Sequence, residues 1–289
     1  MTEPRYPYVA VDVPEELADE AGALLFDLGA SGVEERDATT LARGAEGRVT
    51  LVASFEGMDE ARAAVAELPG EWSARVEEVV GDAWRDEWKK HFEPFRLCDS
   101  LVVRPPWHEY EPGEGERVLV LEPGRAFGTG LHETTGLVAE ILAGEDLRGA
   151  HVLDVGCGSG ILALAALKLG ATSARAIDVD PEAVLVTREN AARNGLGQEV
   201  LADETPLQEV AERYDVVLAN IESRTLVELA PALVARLKHG ARLILSGILA
   251  PSASRSQLGE VRGAYLGLRE ERILTRGEWA ALVLRAGEP

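Results

Sequence analysis

Residues 151–160 read HVLDVGCGSG, and this stretch decides the fold. The run 151–155 is an apolar strand interrupted by one acidic residue, Asp154, and it leads directly into Gly156, Gly158 and Gly160. Glycine tolerates backbone conformations that a Cβ forbids, so such a loop turns sharply and lets a ligand approach the main chain. Residues 161–169 then read as a helix, ended by Gly170. A strand, a glycine turn and a helix in that order open an α/β unit, and ligands of such sheets sit outside the carboxyl ends of the strands. The next strand ends in Ile177-Asp178-Val179-Asp180-Pro181, which puts Asp178 22 residues after Gly156. An acidic side chain at that distance is placed to accept from a ribose hydroxyl pair. Asp180 is the second candidate, and it also suits the cap of the helix that Pro181 begins.

Working outward, strand patterns recur near residues 118–121, 151–155, 174–178, 214–220 and 241–247, with helical segments between them. That alternation predicts a doubly wound, mostly parallel sheet. Residues 268–274 and 279–284, joined around Arg276-Gly277, predict a terminal antiparallel hairpin. The first 80 residues follow another rule: strand 6–13, a helix opened by Pro14, strands 33–36 and 48–54, a helix over 59–68, and strand 72–80. This is the split βαβ order of a ferredoxin-like α+β domain. Between them, Trp84, Trp88 and Phe92 recur every four residues, with His91 and Phe95 beside them, before Pro105-Pro106 and Pro112-Gly113. The spacing predicts a helix whose aromatic stripe serves packing rather than ligand stacking, followed by a linker. The expected domains are thus 1–80, a linker over 81–115, and 116–289.

The chain has 289 residues, with 29 Lys plus Arg against 50 Asp plus Glu and a formal net charge of −21. Nucleic-acid binding draws on a basic surface, so direct nucleic-acid binding is not expected and a basic partner is. With 46% hydrophobic and 27% charged residues the composition is that of a globular protein. No apolar run approaches the roughly 18 residues of a membrane span, and residues 1–13 lack a leader pattern, which predicts a cytoplasmic protein without membrane contact. Cys98 and Cys157 read as reduced thiols, and His132-Glu133 lacks a second histidine four positions on, so no metal site is expected.

The G-x-G-x-G spacing, without the sixth-position glycine of the dinucleotide fingerprint and with Asp154 inside the strand, resembles methyltransferases that use S-adenosylmethionine. A hydride-transfer enzyme is the second reading. Residues 122–135, EPGRAFGTGLHETT, resemble the signature of the bacterial ribosomal protein L11 methyltransferase family. The likeness continues in LLFDLGASGVE (24–34), WRDEWKKHFEPF (84–95), GCGSGILALAALKLGA (156–171), IDVDPEAV (177–184), NAARNG (190–195), VVLANI (216–221), SGILA (246–250) and EWAALVLR (278–285).

The resemblance implies a Rossmann-like class I methyltransferase domain behind a ferredoxin-like substrate-recognition domain. The implied activity is transfer of methyl groups from S-adenosylmethionine to lysine or amino-terminal amines of the basic ribosomal protein L11. It implies that Gly156, Gly158, Asp178, Thr135, Asn220, Phe127 and Gly128 border the methyl donor, and that Asn220, Thr129 and His132 serve catalysis. Asn220 follows a strand end and offers both a carbonyl and an amide to orient an amine. His132 is readable either as a proton acceptor or as a hydrogen-bonded structural imidazole. Two departures from the family pattern stand out: Glu122 where Asp is usual, and Glu222-Ser223 where a small apolar pair is usual. Glu222 either attracts a cationic lysine or faces solvent. Methylation of another protein's lysine and a non-catalytic donor-binding module are the competing functions.

Overall fold

Alternation along the first strand sets the amino-terminal fold. In β1 (Arg5–Pro14) Val9, Val11 and Val13 are buried, while Asp12 between them accepts from Thr50 Oγ1 at 2.6 Å and from Arg75 at 2.8 Å. Period-two burial is what a sheet with one packed face demands. With β2 (Gly32–Arg36), β3 (Arg48–Ser54) and β4 (Ser73–Val80), this strand forms an antiparallel sheet of order β2-β3-β1-β4. Helices α1 (Ala18–Asp27) and α2 (Met58–Glu67) supply Ala21, Leu25, Ala61 and Ala64 to its core, which Phe55, Leu68 and Trp72 complete. The arrangement is ferredoxin-like. Pro14 closes β1 instead of opening the helix, which begins at Ala18. A proline at a strand end leaves no ladder bond unmade.

The computed structural model describes residues 5–14, 17–30, 32–36, 48–55, 57–70, 72–80, 92–123, 128, 130–253 and 256–287. It divides into two units, Met1–Phe92 and Glu93–Pro289. Of the aromatic stripe read from the sequence, Trp84, Trp88 and His91 lie outside the described residues. Phe95 begins β5 (Phe95–Cys98), which pairs with β6 (Leu101–Arg104), so this part of the expected linker is sheet. The strand expected at 118–121 is β7 (Arg117–Val120), and it runs parallel to β6 in a separate three-stranded sheet rather than joining the large one.

The large sheet of the second unit contains β8 (His151–Val155), β9 (Ser173–Ile177), β10 (Val200–Asp203), β11 (Tyr214–Asn220), β12 (Leu237–Leu249), β13 (Arg269–Arg276) and β14 (Trp279–Arg285). Their order is β10-β9-β8-β11-β12-β14-β13, with the first five mutually parallel, β14 antiparallel to β12 and β13 antiparallel to β14. Central β8 is buried on both faces, Val152 in one core cluster and Leu153 and Val155 in the other. That continuous burial is why it reads as an apolar run rather than an alternating one.

On one face lie α3 (Glu133–Ala143) and α4 (Ile161–Lys168), whose residues 161–167 are all buried. Each fully buried Leu or Ile there contributes about 1.5–3 kcal/mol. Following α5 (Pro181–Arg193), the short helices α6 (Ser223–Glu228), α7 (Ala230–Ala235) and α8 (Leu258–Ala264) place Leu226, Leu233 and Val261 in the cluster on the other face. Glu145 ties the end of α3 to the sheet through Arg242 at 3.0 Å and Arg272 at 2.8 Å. No helix among the described residues is long and apolar enough to cross a membrane.

Candidate active site

The glycine loop is held by its own amides. Gly156 N–H and Cys157 N–H both donate to Ile177 O, at 2.9 and 3.1 Å, and Gly158 N–H donates to Asp178 Oδ2 at 2.8 Å. These bonds require left-handed glycines: φ is +72° at Gly156, +54° at Gly158 and +79° at Gly160. A side chain at Gly156 would also collide with Ile221 Cγ2, and one at Gly160 would meet Thr187 Oγ1 at 2.8 Å. Below the loop, Asp154 is buried and accepts from Ala163 N–H in the first turn of α4, 3.0 Å away. Burial pushes its carboxyl up to about 7, the Ala163 bond opposes that rise, and the nearby Asp178 charge adds to it. Burial likewise pushes the Cys157 thiol up, so it is an inert packing group rather than a nucleophile.

Asp178 accepts on both oxygens, from Gly158 N–H and from Asp180 N–H at 3.1 Å. Each oxygen keeps a further lone pair for a ligand hydroxyl. Asp180 caps α5 by accepting from Glu182 N–H at 2.9 Å, so the two acids have separate tasks.

A cavity of about 480 Å³ opens beside this loop. Gly156, Gly158, Asp178 and Val179 line one side, residues 205–208 and Leu229 another, and Asn220, Ile221 and Glu222 the end. Its size is that of a small-molecule site. Its chemistry is specific: among the described residues no lysine or arginine lines it, two carboxylates do, and the loop amides at 156–158 are engaged inside the protein. A pyrophosphate needs free amides or a counter-cation. This cavity instead fits a ligand with ribose hydroxyls, an apolar ring and positive charge, as S-adenosylmethionine has.

A second cavity, of about 310 Å³, lies against the same turn and is lined by His132, Thr134, Ser223, Gly247, Leu249, Gln257 and Trp279. Asn220, Ile221 and Glu222 line both cavities. The shared turn is fixed from two sides, because Ile221 packs over Gly156 while Gly247, at φ +83°, lets β12 approach the Ile221 carbonyl where a Cβ would collide. The β12–β14 register shifts between Leu245 and Ile248, which is where that approach occurs. Asn220 ends β11, and its Nδ2 donates to Thr135 Oγ1 at 3.5 Å. Its Oδ1 has no partner among the described residues.

His132 caps α3: its Nδ1 accepts from Thr134 N–H at 3.4 Å and lies 2.8 Å from Thr134 Oγ1. Its ring meets Trp279 edge-on, centroids 4.9 Å apart. Nδ1 is thus engaged on the first turn of α3.

Of the residues singled out by sequence, Gly156, Gly158, Asp178 and Asn220 meet at the first cavity, and His132 and Asn220 at the second. Thr135 is buried behind Asn220 and is on neither wall. Gly128, at φ +98°, is tied to the glycine loop by its carbonyl, which accepts from Ser159 Oγ. Phe127 and Thr129 lie outside the described residues.

Sequence reasoning missed Trp279, Gln257 and residues 205–208, which reach the cavities from distant elements. It also gave no role to the 190–195 run. Asn190 Nδ2 holds Ser159 O at 2.9 Å, and its Oδ1 accepts from Glu122 N–H at 3.3 Å. Asn194 grips Val120 through both N–H and C=O, at 2.9 and 2.7 Å. Glu122 itself pairs with Arg193. Among the described residues, no cluster of three or more His, Cys, Asp or Glu is placed to hold a metal.

Residues 5–287 match the profile of the family described as "Ribosomal protein L11 methyltransferase (PrmA)". A ribosomal protein L11 methyltransferase of Sorangium cellulosum is 62% identical over 255 residues, covering 86% of this chain and 80% of that one. One from Trichlorobacter lovleyi is 39% identical over 300 residues, covering 96% and 97%. The crystal structure of a ribosomal protein L11 methylase from Lactobacillus delbrueckii subsp. bulgaricus superposes with a TM-score of 0.62 at 32% identity, over 68% of this chain and all of that one.

Proposed function

The chain belongs to the ribosomal protein L11 methyltransferase family, and from that premise we propose that its two cavities divide one reaction, methyl donor in the first and substrate amine in the second, with Asn220 between them. The activity is S-adenosylmethionine-dependent methylation of ribosomal protein L11. The single observation that carries the division is the shared wall at Asn220, where two separate cavities touch.

When bound, S-adenosylmethionine supplies an electrophilic methyl group on a sulfonium centre. Asp178 would hold its ribose hydroxyls, Val179 and Leu207 its apolar ring, and Gly156 its close approach to the main chain. Asn220, fixed by Thr135 through Nδ2, presents Oδ1 to accept from an N–H of the incoming amine and so aims the nitrogen lone pair. A lysine ammonium, ordinarily near pKa 10.4, must first release a proton. His132 is engaged as a helix cap, so that proton leaves to water through the second cavity. The amine then forms its new C–N bond as the C–S bond breaks and the sulfur takes the electron pair. Positioning of this kind can supply up to about 7–11 kcal/mol of barrier lowering.

The amino-terminal unit docks the substrate, the role its ferredoxin-like platform allows. A net charge of −21 favours encounter with a basic ribosomal protein and disfavours direct contact with nucleic acid. The site of action is the cytoplasm, where ribosomal proteins and reduced cysteines are found. Incubation with methyl-labelled donor and purified L11 tests the reaction: label is expected on its amines, and absence of label with donor binding intact would overturn it. Removing residues 1–92 tests docking, with donor affinity expected to survive and L11 methylation to be lost.

A further inference from the structure

The turn shared by the two cavities carries one charged side chain, that of Glu222. Asp178, the other carboxylate of the first cavity, has both oxygens engaged by backbone N–H groups. Glu222, by contrast, has no hydrogen-bond or ion-pair partner for its side chain among the described residues, and it is exposed. Its backbone is not free to wander. The residue sits at the start of α6 with φ −55° and ψ 138°, its carbonyl accepts from Leu226 N–H at 3.0 Å, and Ile221 before it is clamped between Gly156 and Gly247. An unpaired carboxylate on a fixed backbone therefore borders the amine cavity, which has no other acidic residue and no lysine or arginine among the described residues that line it.

We infer that Glu222 is a specificity-determining residue that receives the substrate lysine as its ammonium at the wall of the second cavity, before the proton is lost. The inference rests on the division of donor and amine between the cavities given above. Glu222 is not the base. An adjacent carboxylate favours the charged form of an amine, so it strengthens binding while holding the amine protonated to higher pH. The other titratable groups around it are Asp178 across the first cavity, His132 across the second, and Arg224 on its own helix, which pairs with Glu228 at 3.0 Å.

The test is steady-state methylation of purified L11 by the full chain and by Glu222→Gln and Glu222→Asp, with both substrates varied over pH and salt. Glu222→Gln is expected to raise KM for L11 roughly fivefold at low salt, the value of an exposed charge pair, and less as salt rises. KM for S-adenosylmethionine, whose cavity Glu222 also borders, should change less than that for L11, Glu222→Asp should restore most of the L11 affinity, and the acid limb of kcat should move to lower pH in Glu222→Gln. A loss of packing alone would not move that limb. An unchanged KM for L11 would overturn the inference, as would a rise confined to the donor KM, which would assign the carboxylate to the first cavity. A fall in kcat with loss of the acid limb would make Glu222 the base and equally overturn it. If the wild-type chain methylates L11 and only the KM effect is absent, this inference alone fails; if it does not methylate L11 at all, the two-cavity reading fails and takes this one with it.

Discussion

The two cavities are built by different means. One wall of the first is a product of local backbone, a strand end, left-handed Gly156 and Gly158 and an acid at the next strand end, all within residues 155–179, and residues 205–208, the 220–222 turn and Leu229 close the rest. The second is assembled from side chains that meet only through the fold, with His132, Asn220, Gly247 and Trp279 drawn from four separate regions of the chain. A local device can set one wall of a cavity, whereas a cavity made of side chains alone needs walls brought from several elements.

The largest expected effect lies where the cavities touch. Asn220→Ala should lower kcat about 100-fold through misplacement of the amine, with donor affinity by calorimetry nearly unchanged. An equal loss of donor affinity would break the comparison by assigning Asn220 to the first cavity alone. Next comes Gly156→Ala set against Gly195→Ala. Both glycines have similar φ, +72° and +68°, but a Cβ at Gly156 collides with Ile221 while none meets an atom at Gly195. The strain of a left-handed alanine should cost either variant about 1–2 kcal/mol in denaturant unfolding, and only Gly156→Ala should weaken donor binding, by about tenfold.

Trp279→Leu should do the converse, raising KM for L11 several-fold while sparing the donor. Kinetics with both substrates varied will show whether the aromatic wall belongs to the amine side. The smallest effect on turnover is expected at Asp154. Its carboxyl rises from the ordinary range near 4 in the unfolded chain to about 7 when folded. The folded state thus holds the extra proton, and the stability this contributes, present below about pH 4, is lost as pH rises towards 7. Asp154→Asn removes that dependence, so the difference in Tm between variant and wild type should shift by a few degrees in the variant's favour on going from about pH 5 to 8. A pH-independent difference would mean that Asp154 is ionised throughout.

Legibility in the sequence follows the same division. Residues 151–178 announced their sheet, loop and acid because every relation there is short in sequence, and the antiparallel hairpin around Gly277 was equally local. What failed was non-local. Residues 117–120 have the pattern of a parallel strand, but nothing in that pattern says which sheet they join, and Asn194 from 74 residues away holds them beside α5. Proline's fixed φ suits a strand end as well as a helix start, so Pro14 was placed on the wrong side of a boundary. Thr135 and His132 stand close to Asn220 and Trp279, where Thr135 Oγ1 accepts from the Asn220 amide and His132 caps a helix. Those tasks depend on hydrogen-bond partners that sequence spacing does not specify.

The most direct test of the account is a crystal structure of the chain with S-adenosylhomocysteine and a lysine-containing segment of L11. The thioether sulfur is expected on the first-cavity side of Asn220, the lysine nitrogen on the side of His132 and Trp279, and Asn220 Oδ1 within hydrogen-bond distance of that nitrogen. A lysine reaching the sulfur past residues 205–208, with the second cavity empty, would contradict it.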